Sequence, residues 1–174
     1  GIIFSKDDMQ TVWSRLGNEG CIQLVIPTLL EELQTLEAGP VDRASTEFPF
    51  ALSAGERRDY TANTIYRDFA WRRKDPEGSL RINPDDALNL GVKTGDQARI
   101  TTATGSAIAR VEVTERMLRG HVSLPNGFGL DNEDGTRSGV APNELTSLAD
   151  RDKFAGTPHH KCVPARIEAT RQSA

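Results

Sequence analysis

Hydrophobic positions along this chain follow two periods. Toward the N-terminus they recur at three-and-four spacing. Met9, Val12, Trp13 and Leu16 do so over residues 5–16, with Ser5 or Asp7 as cap and Gly17 and Gly20 as stops, which predicts a short helix. Leu29, Leu30, Leu33 and Leu36 do so after Pro27, predicting a second helix with Glu31 and Glu32 in its first turn and Ala38-Gly39-Pro40 as its end. Beyond that point the period becomes two. Phe48 to Leu52 reads as a short apolar strand, and Ser53 to Gly78 carries few aliphatic residues. Leu80-Arg81-Ile82 is a strand. Asn83 then caps a short helix opened by Pro84, with Asp85 and Asp86 in its first turn and Gly91 as its close. Lys93 to Asp96 forms a turn. Ala98 to Thr102 and Ala107 to Val113 flank Thr104-Gly105 as a hairpin. Val122 to Leu124 and Val163 to Glu168 are further strands, separated by an irregular stretch at 125–160 rich in Gly, Asn, Asp and Pro.

Short strands, one small helix among them, long loops and a late closing strand predict a mainly β fold with short helices. The architecture expected is a β-barrel with crossing connections, preceded by a short helical segment. Residues 38–46, small, polar and bearing Gly and Pro, are the candidate linker. The expected organisation is a helical connector or end of a preceding domain at 1–46, the barrel domain at 47–170 and a tail at 171–174.

Composition narrows the function classes. A chain of 174 residues with 37% hydrophobic residues is long enough for one domain with a real core. No apolar run approaches the roughly 20 residues of a membrane helix, so membrane insertion is not expected. The formal net charge of -4 argues against nucleic acid as the main partner, since duplex binders carry a basic excess. Cys21 and Cys162 are too few for a disulfide scaffold or a cluster site, and are expected to be ordinary small residues, buried or half-buried. Lys6, Asp7 and Asp8 interrupt any signal-peptide core, and a cytoplasmic address is expected, with any targeting signal outside a chain that starts at Gly1.

Three polar patches carry candidate chemistry. In Leu52 to Thr64, Gly55 permits close backbone approach, Arg57 or Arg58 forks onto phosphate, Tyr60 packs on a flat ring, and Thr61, Asn63 and Thr64 donate to oxygens; a solvated loop is the bland alternative. Asn126 and Asn143, in Leu124 to Gly129 and Pro142 to Thr146, each carry a donor and an acceptor suited to a heterocycle edge; the alternative is turn chemistry. In Gly156 to Lys161, the paired His159 and His160 lack any Cys, Asp or Glu at ligand spacing, so stacking or hydrogen bonding is expected rather than metal binding, with Lys161 supplying charge. His121 reads as structural. The run Asn83 to Asp96 is likewise a capped helix and a turn that Asp96 fixes. No paired-carboxylate signature, Gly-x-Ser-x-Gly, Walker loop or Rossmann glycine set is present. The chain displays no catalytic residues and no metal ligands of its own.

Taken in order, four of these stretches resemble the molybdopterin dinucleotide-binding domain at the C-terminus of the formate dehydrogenase, nitrate reductase and dimethyl sulfoxide reductase superfamily. They are Leu52 to Thr64, Ile82 to Asp96, Asn143-Glu144-Leu145-Thr146 and Thr157-Pro158-His159-His160-Lys161, and the resemblance spans Phe48 to about Glu168. It implies a double-psi β-barrel that binds molybdopterin guanine dinucleotide and packs against upstream domains of the same polypeptide. Those domains supply the ligand to molybdenum or tungsten and the iron–sulfur cluster, so the fragment alone is expected to be inactive. Ser53, Gly55, Glu56, Arg57, Tyr60, Thr61, Asn63 and Thr64 would meet the pterin and pyrophosphate region. Asn126, Asn143 and Thr146 would line the pterin or nucleotide groove, and His160 and Lys161 would close it. Two positions depart from the family pattern: Asp59 stands where many relatives have His, and His160 where many have Tyr. Double-psi barrels also serve as protein-interaction modules, the adaptor domains of ATPase machines. That rival accounts for residues 80–113 but not for Asn143 to Thr146 or Thr157 to Lys161. A small stand-alone decarboxylase, the other rival, would need a self-processing serine after a glycine.

Overall fold

The computed structural model describes residues 24–36, 44–58, 75–131 and 133–170. The helix expected at 5–16, Cys21, Tyr60, Thr61, Asn63 and Thr64 lie outside the described residues. The chain divides into two units, Gly1–Val41 and Asp42–Ala174. The first contains α1 (Pro27–Thr35), whose leucines follow the expected spacing but bury none of their side chains. Pro27 occupies the first helical position, so the first turn closes before Glu31, and no acidic residue stands in that turn. The expected dipole contribution of Glu31 and Glu32 is therefore absent.

The second unit is built on a closed six-stranded barrel in the order β1-β5-β2-β4-β3-β8. Its strands are β1 (Phe50–Glu56), β2 (Leu80–Ile82), β3 (Gln97–Thr102), β4 (Ser106–Val113), β5 (His121–Pro125) and β8 (Val163–Ala169), with α2 (Pro84–Leu90) after β2. β1 pairs in parallel with β5, and β2 with β4, while the other ladders are antiparallel. Parallel neighbours require crossing connections, and closure leaves no unpaired edge. Alternation does the sorting: Ala98, Ile100 and Thr102 of β3 are buried while Gln97 and Arg99 face outward. Leu52, Leu80, Ile82, Ile100, Val111, Val122 and Leu124 fill the interior with essentially no exposure. β5 departs from alternation, because Ser123 on the outer side is also buried.

Local chemistry at α2 follows the sequence closely. The Asn83 side chain accepts from the Asp85 N–H, Pro84 opens the helix, and Gly91 closes it at φ 68 and ψ 32. Asp96 fixes the turn before β3 by accepting the Lys93 N–H at 3.0 Å. The stretch 125–160, read as irregular, contains a small hairpin of β6 (Leu130–Asp131) and β7 (Arg137–Ser138) and a 3-10 helix at Pro142–Leu145. A two-residue ladder and a single 3-10 turn within a stretch rich in Gly, Asn, Asp and Pro leave no periodic signal. β1 runs beyond the expected Leu52 because a bulge at Gly55 (φ 93) lets pairing with β5 continue to Glu56↔Pro125. Cys162 is exposed rather than buried, and stands at φ 58 where the chain turns into β8.

Candidate functional site

Strand pairings place the candidate residues at one end of the barrel. β1 and β5 run parallel and finish together at Glu56 and Pro125. β8 enters there, with Val163 opposite Leu52, and β3 leaves there, with Thr102 opposite Ala165. The starts of β2 and β4 lie at the same end, since β2 is antiparallel to β5 and parallel to β4. This mouth therefore collects the segments after β1 and β5, the β3–β4 turn and the entry to β8.

Within it, Gly55 and Asn126 touch. A Cβ built on Gly55 would stand 2.5 Å from Asn126 Oδ1, and the Asn126 N–H donates to the Glu56 carbonyl at 3.0 Å. The His160 carbonyl accepts the Ala54 N–H at 2.8 Å, which fixes His160 and Lys161 beside the same stretch of β1. The 3-10 helix packs against β1 and β4. It is tied down by Thr102 Oγ1, which donates to the Leu145 carbonyl at 2.9 Å, and by Gly105, whose missing side chain admits the Glu144 backbone. Asn143 and Thr146 thereby reach the mouth. Arg57, Asn126, Asn143, His160 and Lys161 are exposed, and Gly55 and Thr146 half-buried. Ser53, on the outer face of β1 opposite Ser123, is half-buried.

Behind these residues lies a charged cluster that sequence reasoning missed. Arg58 is 5% exposed. Its Nε donates to Glu56 Oε2 at 3.1 Å, its Nη1 to Asp75 Oδ2 at 2.5 Å and its Nη2 to the Ser79 carbonyl at 2.9 Å. Asp75 in turn accepts the Ser79 N–H and hydroxyl. Arg81 donates to Glu56 Oε1 at 3.2 Å and to Glu112 Oε2 at 3.0 Å. Ser123 Oγ donates to Glu56 Oε2 at 2.8 Å, which explains why Ser123 is buried on the outer face of β5. Burial pushes the Glu56 carboxyl up, but the Ser123 hydroxyl and the Arg58 and Arg81 guanidinium groups outweigh it and hold the carboxyl below its ordinary value. Neighbouring arginines thus have opposite fates: Arg58 faces in and Arg57 out. The one available signal was charge inside strands, Arg81 between Leu80 and Ile82 and Glu112 between Val111 and Val113, which the register sets side by side.

The donor set suits an extended anionic ligand with heterocyclic ends. Exposed guanidinium and ammonium groups meet phosphate, amides read ring edges, and a glycine gives the backbone close approach. Among the described residues no group of His, Cys, Asp and Glu is arranged to hold a metal ion. No helix among them is long and apolar enough to cross a membrane.

A family model described as "Molydopterin dinucleotide binding domain" matches residues 50–164. The F420-dependent formate dehydrogenase 1 subunit alpha of Methanococcus maripaludis is 24% identical over 85% of this chain and 21% of its own length. Among solved structures, acetylene hydratase from Pelobacter acetylenicus superposes with a TM-score of 0.60 at 19% identity, over 71% of this chain and 19% of that one. The chain thus spans about a fifth of the length of these relatives. Barrel topology and the family match agree: the chain belongs to the molybdopterin dinucleotide-binding domain family of the molybdopterin oxidoreductase superfamily, whose cofactor is molybdopterin guanine dinucleotide.

Proposed function

We propose that this chain is the cofactor-binding domain of a molybdenum or tungsten oxidoreductase of the formate dehydrogenase kind, and that it grips the dinucleotide at the barrel mouth. The observation that carries this reading is the convergence of Gly55, Arg57, Asn126, Asn143, Thr146, His160 and Lys161 on one end of a closed barrel. In this reading Arg57 and Lys161 bind the phosphates, while Asn126 and Asn143 pair with heterocycle edges. Gly55 lets the backbone approach, and Thr146 and His160 line the groove beside Ser53. The side chain of Glu56 is engaged by Ser123, Arg58 and Arg81, so its part falls to its main chain. Tyr60, Thr61, Asn63 and Thr64 complete the proposed set from outside the described residues. When bound, the cofactor supplies a metal centre for oxidation and reduction. Upstream domains of the same polypeptide supply the metal's protein ligand and the electron path.

The test is chemical. The full-length protein should release pterin and guanine nucleotide on acid treatment, and should turn over formate with an artificial electron acceptor. The isolated chain should hold neither molybdenum, tungsten nor iron and should have no such activity. Pterin-free full-length protein would overturn the binding reading. Pterin-loaded protein without formate turnover would overturn only the substrate.

A further inference from the structure

Arg58 and its partners join four strands beside the mouth, and Arg58 at their centre is buried, with its guanidinium turned to Glu56, Asp75 and Ser79. Glu56 is the last residue of β1, Arg81 lies on β2, Glu112 on β4 and Ser123 on β5. Asp75 and Ser79 precede β2 and are both buried. Glu56 is the shared member. Its carboxylate takes Ser123, Arg58 and Arg81, while its carbonyl takes the Asn126 N–H at 3.0 Å. The residue before it is the bulged Gly55. The same contacts that bury Arg58 therefore set the position of Gly55, of Arg57 and of Asn126.

Stability alone does not account for this construction. Desolvating three carboxylates and two guanidinium groups is costly, and apolar side chains of similar volume commonly stabilise as well. What a forked guanidinium adds is direction, because its donors are fixed in one plane and reach separate acceptors at once. Here the three acceptors of Arg58 lie on Glu56, Asp75 and Ser79, on both sides of residues 59–74 in the sequence.

We propose that Arg58 is a positioning residue for cofactor binding: by bridging Glu56 to Asp75 and Ser79 it holds the Gly55 bulge so that Arg57 and Asn126 face the ligand, and it does not itself touch the cofactor. The proposal rests on the mouth being the cofactor site.

A double-mutant cycle in the holoenzyme tests it. Arg58→Lys keeps the charge but cannot span three acceptors, and Asp75→Asn serves as a second variant that keeps an oxygen for Ser79. Both are combined with Arg57→Ala. Pterin retention on prolonged dilution is measured well below the thermal midpoint, together with the midpoint itself. Each single variant should lose pterin roughly tenfold faster than wild type, the scale of one charge-assisted hydrogen bond. Each double variant should lose it more slowly than the two single effects combined would give, because part of the Arg58 effect runs through Arg57 and the remainder through Asn126. Additive losses, or losses that only track the midpoint, would overturn the proposal. So would wild-type retention in Arg58→Lys and Asp75→Asn while Asn143→Ala and Lys161→Ala shed pterin. If those last two variants and Arg57→Ala all retain pterin fully, the mouth itself is the wrong site.

Discussion

The two ends of the barrel draw on the same residue types and use them in opposite ways. Where β1, β3 and β5 begin, the fold consumes its polar side chains. Asn83 accepts the Asp85 N–H at 2.9 Å and donates to the Met117 carbonyl at 2.8 Å. Asp86 accepts the Gly120 N–H at 2.7 Å, and Asp96 accepts the Lys93 N–H at 3.0 Å. At the mouth, Asn126, Asn143, His160 and Lys161 are exposed, and their side chains make no hydrogen bond among the described residues. An asparagine at a turn is thus a cap at one end and, among the described residues, an unengaged donor–acceptor pair at the other. Residue type does not separate the two cases; the partners around it do.

The comparison breaks most severely in the wall that joins the two ends. Leu124→Ala empties a fully buried position on β5, one residue before Pro125. It should cost about 2–5 kcal/mol. Denaturant unfolding should show the loss, and pterin retention should fall in step with it. A variant that lost pterin while keeping its midpoint would show that Leu124 serves the ligand rather than the core.

Asn143→Ala should cost about 1.5 kcal/mol of cofactor affinity, roughly tenfold, by leaving ligand groups unmatched. Unfolding should be unchanged, since Asn143 is exposed. Calorimetric or fluorescence titration of released pterin against the thermal midpoint separates the two effects. Asn83→Ala should do the reverse, removing about 1 kcal/mol of stability as a lost helix cap and leaving pterin content alone.

The smallest effect concerns pH. The Glu56 carboxyl is held below its ordinary value in the folded protein, so its ionised form adds stability at neutral pH. That contribution is lost as pH falls through the depressed folded value, below the ordinary glutamate range. Glu56→Gln should therefore lower stability at neutral pH, where the ionised carboxylate contributes, flatten the acid limb of the stability curve and converge on wild type at its acid end. An acid limb that matches wild type would remove Glu56 from the account.

Most of the wall was legible in the sequence because its signals are local. Period-two alternation marks β3 and β4, and Asn83, Pro84 and Gly91 mark both ends of α2. The mouth was legible only as separate polar patches. Joining them depends on strand order, which brings Gly55 against Asn126 across residues distant in sequence. The charged cluster was illegible for the same reason: Arg58 and Asp75 read as loop residues until tertiary contact buries them. Arg57 and Arg58 seemed interchangeable in sequence, and only their opposite burial tells them apart. In α1 the acidic pair Glu31 and Glu32 falls beyond the first turn, because Pro27 itself occupies the first helical position.

One head-to-head measurement bears most directly on the claim that the mouth holds the cofactor. Lys161→Ala at the mouth and Asn83→Ala at the far end are compared in the full-length enzyme, scoring acid-released pterin beside the thermal midpoint. Loss of a charge-assisted bond at Lys161 should lower cofactor affinity by about 1.5–3 kcal/mol, one to two decades, with the midpoint of the pterin-free protein unchanged. Asn83→Ala should lower the midpoint and keep its pterin. Equal pterin content in both variants, or loss in Lys161→Ala only in proportion to unfolding, would contradict the account.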